Sequence, residues 1–361
     1  MLVQVVDPSA FTPPYDDALC SALARAGARV QLITSRFAYG ELPPPDGYVR
    51  RELFYRRVPG AAGTSARRVG KAVEHVPDML RFRRAAQAAD VVHLQWLTLP
   101  AVDVHLLPDR PLVLTAHDLL PREPRPGQLR AQRELLRRVD AVVVHSEYGR
   151  RQLVDRLGLP GEKVEVIRHG AFAPRGAAGA LPGELRDSGG PVVLFFGLLR
   201  PYKGIGTLLE AWKGVDGAQL WIAGRPMMEL PATGPGVQMV PRFVSDGEAA
   251  ALMERADVVV LPYSRTERFD QSGVLAKAMG AGRPAVVTDV GGFGEVAATG
   301  AARLVAPDDP DALGAALAEL VADPAARERM SAAALAAARG PFSWDESARR
   351  TLTLYERVRR G

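Results

Sequence analysis

Arg200 and Lys203 stand just past a run of apolar and β-branched residues, VVLFFG at 192–197, where a loop leaves a strand. Two cations aimed past a strand end make an anion site: a guanidinium can bridge two oxygens in a plane, while an ammonium acts as a point charge. Further on, Gln271, Ser272, Gly273 and Val274 open the Ala- and Leu-rich stretch QSGVLAKAMGAGRPAVV. There the backbone amides of Gly273 and Val274 are expected to be free to meet an anion at a helix N-terminus, and the lack of a side chain on Gly273 permits close approach. His117 ends the apolar run PLVLTAH and is followed by Asp118. A histidine at a strand terminus can orient a polar ligand. His93, His145 and His169 also end strand-like runs, but none has compact ligand spacing, so no metal site is predicted.

The elements that must position these groups alternate regularly. LVQVV, ARVQLIT, DVVHL, PLVLTAH, AVVVHS and KVEVIRHG read as strands separated by helical stretches, which predicts a parallel sheet with helices on both faces over residues 1–171. Residues 172–191, rich in Gly, Pro and Ala, are the candidate linker. A second alternation, VVLFFG, AQLWIAG, VQMVPRF, ADVVVLP, PAVVTDV and ARLVA, predicts a second Rossmann-like domain over 192–341. Ser245 and Glu248 have the spacing of a capping box. Gly340-Pro341 stops the Ala-rich helices, and a last helix over 342–361 shows apolar spacing at Trp344, Ala348, Leu352, Tyr355 and Val358. Ligands of open α/β sheets sit beyond the carboxyl ends of the strands, so two doubly wound sheets facing an interdomain cleft are expected.

Composition narrows the class. The chain has 361 residues, 47% of them apolar, and a net charge of +5, as expected of a soluble two-domain protein. A single cysteine, Cys20, permits no intrachain disulfide, and with no leader-like or membrane-spanning run the chain reads as cytoplasmic. Cations concentrate in the first 180 residues, with 26 Lys and Arg against 19 Asp and Glu. Within 55–84, Arg56, Arg57, Arg67, Arg68, Lys71, Arg81, Arg83 and Arg84 face only Glu74 and Asp78, with Val69, Val73, Met79 and Leu80 interleaved. Such a stretch is either an ordinary solvated helix or a peripheral contact with anionic lipid. No nucleic-acid recognition motif accompanies the charge, and no strand is followed by the glycine fingerprint of a dinucleotide site.

Gly197 to Gly204 (G-x-x-R-x-x-K-G), then A-M-x-A-G-x-P-x-V at 278–286 and D-V-G-G at 289–292, together with AHD, VIRHG, WIAGRP, ADVVVLPY and FSWDESA in order along the chain, resemble glycosyltransferase family 4. The resemblance implies a GT-B fold and a retaining, metal-independent hexosyltransferase using a nucleoside-diphosphate sugar and a hydroxyl acceptor, in glycan or glycoconjugate biosynthesis, with no cofactor. It further implies that Arg200 and Lys203 bind the donor diphosphate beside Gly197, that His117 lies against the donor sugar, that Pro241 to Val244 contact the base, and that the last helix crosses back onto the N-terminal domain. The family's E-x7-E pair is absent in register: Phe269 and Lys277 occupy its places. Asp270 or Glu267 is then the substitute for the first carboxylate, Lys277 for the second, and the Gln271–Val274 run is similar to a QSGV variant among relatives. FTPPYDD at 11–17 replaces the family's Gly-Gly loop, which makes Tyr15 and Asp16 acceptor-site candidates. The alternatives are a GT-B epimerase or phosphorylase, and a catalytically inactive nucleotide-sugar-binding or membrane-surface protein.

Overall fold

The computed structural model describes residues 1–38, 40, 42–58, 64–120, 127–173, 178–267 and 269–360. It divides into two compact units, Met1–Arg168 with Trp344–Gly361, and His169–Ser343. The first runs β1 (Leu2–Asp7), α1 (Pro13–Arg25), β2 (Arg29–Ser35), β3 (Val49–Phe54), α2 (Ser65–Ala85), β4 (Val91–Leu94), α3 (Pro100–Asp103), β5 (Leu112–Thr115), α4 (Gln128–Arg138), β6 (Ala141–Val144), α5 (Glu147–Arg151) and β7 (Val164–Val166). The second runs β8 (Val192–Phe196), α6 (Ile205–Trp212), β9 (Gln219–Ala223), β10 (Val237–Val240), α7 (Asp246–Arg255), β11 (Val258–Leu261), α8 (Gly273–Gly280), β12 (Ala285–Thr288), α9 (Phe293–Ala297), β13 (Ala302–Val305), α10 (Pro310–Ala322) and α11 (Pro324–Arg339). α12 (Trp344–Arg360) returns to the first unit.

The first sheet has the order β3-β2-β1-β4-β5-β6-β7 and the second β10-β9-β8-β11-β12-β13, with every pairing parallel. Fully buried parallel strands need apolar residues on both faces, which is why β4, β5, β6, β11 and β12 are near-continuous Val and Leu. Strand order reverses between β1 and β4 in one sheet and between β8 and β11 in the other, and crevices for ligands form at such reversals.

Local signals set the helix starts. Ser245 and Glu248 make a reciprocal capping box on α7, and Asp309 and Asp323 cap α10 and α11, each followed by proline. α12 buries Ser347, Ala348, Thr351, Leu354 and Tyr355; Leu354 therefore takes the core place expected of Leu352. Its Tyr355 hydroxyl meets His93 Nδ1 at 2.6 Å, joining the last helix to β4. Of the expected linker, residues 174–177 lie outside the described residues; its start is bound to the second unit, where the Phe172 amide donates to the Ala276 carbonyl on α8.

Candidate functional site

In the second unit, the groups expected to bind an anion gather beyond β8. Gly197 has φ +106°, a backbone conformation that favours glycine. A Cβ there would stand 2.9 Å from Lys203 Nζ and 3.2 Å from Val274 Cγ2, so the ammonium of Lys203 and the first turn of α8 both border the bare glycine backbone. Gly204, at φ +71°, is forced by the opposite crowding: its Cβ would collide with the Pro262 carbonyl oxygen at the end of β11. This close approach fixes the loop that carries Lys203. The lysine is only 6% exposed, and its Nζ lies 5.5 Å from the centre of the Tyr263 ring. Arg200 is half-buried and takes part in the same turn, its carbonyl accepting from the Lys203 amide. The sequence placed these residues together, and the fold does so.

The α8 start differs in one respect. Ser272 Oγ accepts from the Val274 amide at 3.2 Å, so this amide, expected to be open, is already capped; an anion arriving there must share or displace the bond. Among the described residues the Gly273 amide donates to no protein group, and Gly273 is exposed. Gln271 Oε1 turns back to accept from the Ser272 amide.

The substituted carboxylate positions are now explicable. Phe269 is a core residue, packed edge-on against Tyr263 and Phe293. Asp270 is 0% exposed, its carbonyl accepting from the Gly292 amide, whereas Glu267 is exposed. Lys277 stands with its ammonium 5.7 Å from the Phe196 ring centre, and burial lowers its pKa, with Asp246 partly opposing. A cation that is costly to keep desolvated is drawn to an anion. In the loop expected to contact the base, Arg242 binds both Glu184 and Glu248, which ties the loop to α7, while Phe243 is exposed.

The first unit gathers its polar groups at the carboxyl ends of β1, β4, β5 and β6. His117 Nε2 meets Gln95 Oε1 at 3.0 Å. Its ring is stacked on Trp96 (5.1 Å, 11°) and met edge-on by Tyr15 (4.7 Å). The imidazole is half-buried, so this clamp holds an accessible group in one orientation. Trp96 Nε1 donates to Thr12 Oγ1, and the exposed Phe11 ring meets Trp96 at 5.6 Å. Gln95, Trp96 and Phe11 were not singled out from sequence; their signal was the place of Gln95-Trp96 directly after a strand, the same signal that marked His117.

Tyr15 and Asp16 behave differently from the acceptor contacts expected of them. Tyr15 is buried against His117, His145 and Trp344, and buttresses the histidine. Asp16 is enclosed: burial, then the nearby Asp7, push its carboxyl well above the usual range. Asp7 in turn accepts from the amides of Ser9, Phe11 and Thr12, so the pair ties the FTPPYDD loop to β1. Burial also holds His93 neutral, with its pKa lowered to about 3, and His145 with its pKa lowered to about 4. Among the described residues no group of three His, Cys, Asp or Glu is placed to hold a metal.

Two parallel α/β sheets, one in each unit, define a GT-B architecture, and the fold matches that of Anabaena HepE in complex with UDP and glucose (TM-score 0.74, 18% identity, 99% of this chain and 100% of that one). The chain belongs to glycosyltransferase family 4: residues 17–171 match Glycosyltransferase Family 4 and residues 190–323 match Glycosyl transferases group 1. It is 32% identical to the phosphatidyl-myo-inositol mannosyltransferase of Mycobacterium leprae, over 74% of each chain. It is 29% identical to the D-inositol 3-phosphate glycosyltransferase of Kineococcus radiotolerans, over 94% of this chain and 88% of the relative. The protein is a glycosyltransferase.

Proposed function

We propose that the protein is a retaining, metal-independent hexosyltransferase that moves a sugar from a nucleoside diphosphate to a hydroxyl acceptor. The observation that carries this reading is the Lys203 ammonium set against bare Gly197 backbone and the first turn of α8, with Arg200 on the same turn. As the bond from the anomeric carbon to the β-phosphate oxygen breaks, negative charge grows on that phosphate, and preorganised cations in a water-poor site stabilise it. Lys203 and Arg200 supply this charge, the Gly273 amide adds a donor, and Lys277 replaces a carboxylate by a third cation. The acceptor oxygen attacks the face the phosphate leaves, and its proton passes to the departing phosphate oxygen. His117, clamped between Trp96 and Tyr15, orients the sugar instead of removing a proton. The UDP and glucose held by the HepE fold neighbour, and the inositol phosphate and phosphatidylinositol in the relatives' names, support a nucleotide-sugar donor and a hydroxyl acceptor.

Replacing Lys203 with Ala tests this. Transfer from a panel of nucleotide sugars should fall by about 100-fold or more, the loss of a charge-assisted phosphate contact, with the thermal transition retained; unchanged turnover would refute the phosphate role. Product analysis with labelled donor separates transfer from the epimerase and phosphorylase alternatives, which yield no acceptor adduct.

Peripheral contact with an anionic membrane is a further part of the proposal, and α2 carries the observation for it. Val69 and Val73 are 64% and 71% exposed, and Val76 and Leu80 continue the same stripe, one helix face by its spacing. Arg83 and Arg84 flank its end, while Met79 packs inward. A cavity of about 420 Å³ lined by Leu53, Arg56, Arg57, Glu74 and Arg81 opens on the flank of the helix. Apolar side chains ringed by arginine suit the headgroup boundary of anionic lipid. Residues 59–63 of this basic stretch lie outside the described residues. Among the described residues no helix is long and apolar enough to cross a membrane.

A further inference from the structure

Two buried carboxyls lie where β1 gives way to its loop, and no step of sugar transfer uses them. Asp7 closes β1 and Asp16 stands in the first turn of α1, both enclosed by protein. The chain between them wraps the Asp7 carboxylate. Its Oδ1 accepts from the Ser9 amide at 3.3 Å, and its Oδ2 from the amides of Phe11 at 2.5 Å and Thr12 at 3.0 Å. The Thr12 carbonyl then accepts from the Tyr15 and Asp16 amides, so α1 starts directly from the wrapped loop. In this arrangement the side chains of Asp7 and Thr12 lie against the Asp16 carboxyl, whose Oδ1 is buried with no hydrogen-bond partner among the described residues.

Two carboxylates side by side in a dry site cannot both be charged. Among the described residues neither is in an ion pair, and the surrounding titratable groups do not neutralise them. On α1, Asp17 adds a second negative field and is held by the Tyr48 hydroxyl at 2.7 Å, while Cys20 is a buried thiol whose ionisation Asp16 and Asp17 oppose. Of the cations, Lys71 of α2 feels the field of Asp7 but binds Ser9 Oγ, and Arg50 of β3 acts on Cys20 while bonded to the Pro43 carbonyl. Burial keeps Tyr355 of α12 a neutral phenol. The remaining partner is a proton. Three amides favour the ionised form of Asp7, whereas Asp16 accepts from no amide among the described residues, so the proton sits on Asp16 and its hydroxyl donates to Asp7.

The wrapped loop reaches the clamped histidine in two contacts. Thr12 Oγ1 accepts from Trp96 Nε1 at 3.0 Å, and the Trp96 ring stacks on His117. Phe11, from the same loop, meets Trp96 at 5.6 Å. Thr12 therefore touches the carboxyl pair on one side and the aromatic wall on the other. A second negative charge would drive the carboxyls apart and carry that hydroxyl with them. We infer that Asp7 and Asp16 share a single proton, and that this pair is a positioning device for His117, acting through Thr12 and Trp96. The link to transfer rests on the glycosyltransferase reading; the shared proton and the placing of the imidazole do not.

The tests use the full chain and Asp16→Asn, a neutral isostere whose amide can donate to Asp7 in place of the acid. The infrared spectrum of the wild type at neutral pH should contain the carbonyl stretch of a protonated buried acid, lost in Asp16→Asn and kept in Thr12→Val. Folding raises the Asp16 pKa, so its contribution to stability is complete below the ordinary carboxylate range and is lost as pH rises above it. Melting temperatures should accordingly decline from about pH 5 to 8 more steeply in the wild type than in Asp16→Asn. The His117 imidazole resonance, assigned by its loss in His117→Ala, should move in Thr12→Val and return in Thr12→Ser. Above the histidine's own titration it should shift with rising pH in the wild type and stay in place in Asp16→Asn. In Thr12→Val, kcat should fall about tenfold with donor KM nearly unchanged, as for a lost orienting contact. An acid band that survives in Asp16→Asn, or equal dependence of melting on pH, overturns the shared proton. An unmoved resonance or a wild-type kcat in Thr12→Val overturns the positioning. Absence of sugar transfer by the wild type, with the infrared, melting and resonance results as expected, supports the device and counts against the glycosyltransferase reading alone.

Discussion

Gly197→Ala isolates the geometry on which donor binding depends. The new methyl carbon would stand 2.9 Å from Lys203 Nζ and 3.2 Å from Val274 Cγ2. The nearer obstacle is the far end of a flexible chain, so the fold can yield by moving the ammonium away, at the expense of the charge it places on the phosphate. At φ +106° an alanine is also strained, by roughly 1–2 kcal/mol. For a domain of this size that lowers the melting temperature by about 2–8 °C. Losing one charge-assisted hydrogen bond costs about 1.5–3 kcal/mol, so kcat/KM for the donor should fall roughly 10- to 150-fold. Gly206→Ala is the internal control: Gly206 lies in α6 with open space around its position, and alanine there should be neutral or stabilising by up to about 1 kcal/mol. Steady-state kinetics with saturating acceptor, alongside thermal melts of both variants, give the comparison. A folded Gly197→Ala enzyme with wild-type kcat/KM would show that the position of Lys203 does not govern transfer.

Three other outcomes follow from the same geometry. His117→Ala should lower transfer by about 10- to 100-fold, as expected for a lost orienting contact, with donor affinity in equilibrium binding nearly unchanged; an equal loss of donor affinity would argue against an orienting role. His93 and His145, whose pKa values are lowered to about 3 and about 4, are neutral in the fold and charge first in the unfolded chain. Their stabilisation is complete above the ordinary histidine pKa and is lost as pH falls from about 6.5 toward 4, on the order of several kcal/mol; the raised carboxyls of Asp7 and Asp16 act in the opposite sense. Melts across pH 7 to 5 should therefore fall less steeply for His93→Gln than for the wild type, and parallel slopes would contradict the assignment. Val73→Ser with Leu80→Ser should reduce binding to anionic vesicles several-fold without altering turnover of soluble substrates, and unchanged flotation would leave the α2 stripe without its membrane role.

The sheets were legible because buried parallel strands have little choice of residue: VVLFF, VVVL and AVVT can satisfy both faces only as strands. The Gly197–Lys203 turn was legible for a similar reason, since the family motif and the demand for a bare backbone coincide. Reading failed where a side chain's fate is set by distant partners. Asp16 reads as an acceptor-site candidate from its place in the FTPPYDD loop, yet it is enclosed beside Asp7 of β1. Phe269 turned inward because Tyr263 and Phe293 supply an aromatic pocket, and the adjoining Asp270 is held in by its carbonyl's bond to the Gly292 amide. Asp7 and Thr12, Trp96, and His117 belong to three separate segments, so only the folded sheet brings them into one chain of contacts.

The His93–Tyr355 contact has a consequence for how the protein is made. β4 emerges from the ribosome 262 residues before the tyrosine whose hydroxyl meets its histidine. At about 5–20 residues per second, the intervening second unit takes on the order of ten seconds or more to appear. That unit is contiguous in sequence and can complete itself first, whereas the earlier-made sheet must wait with the α1 surface that receives α12 uncovered, a window in which nascent chains of this enzyme are most open to chaperones and to one another.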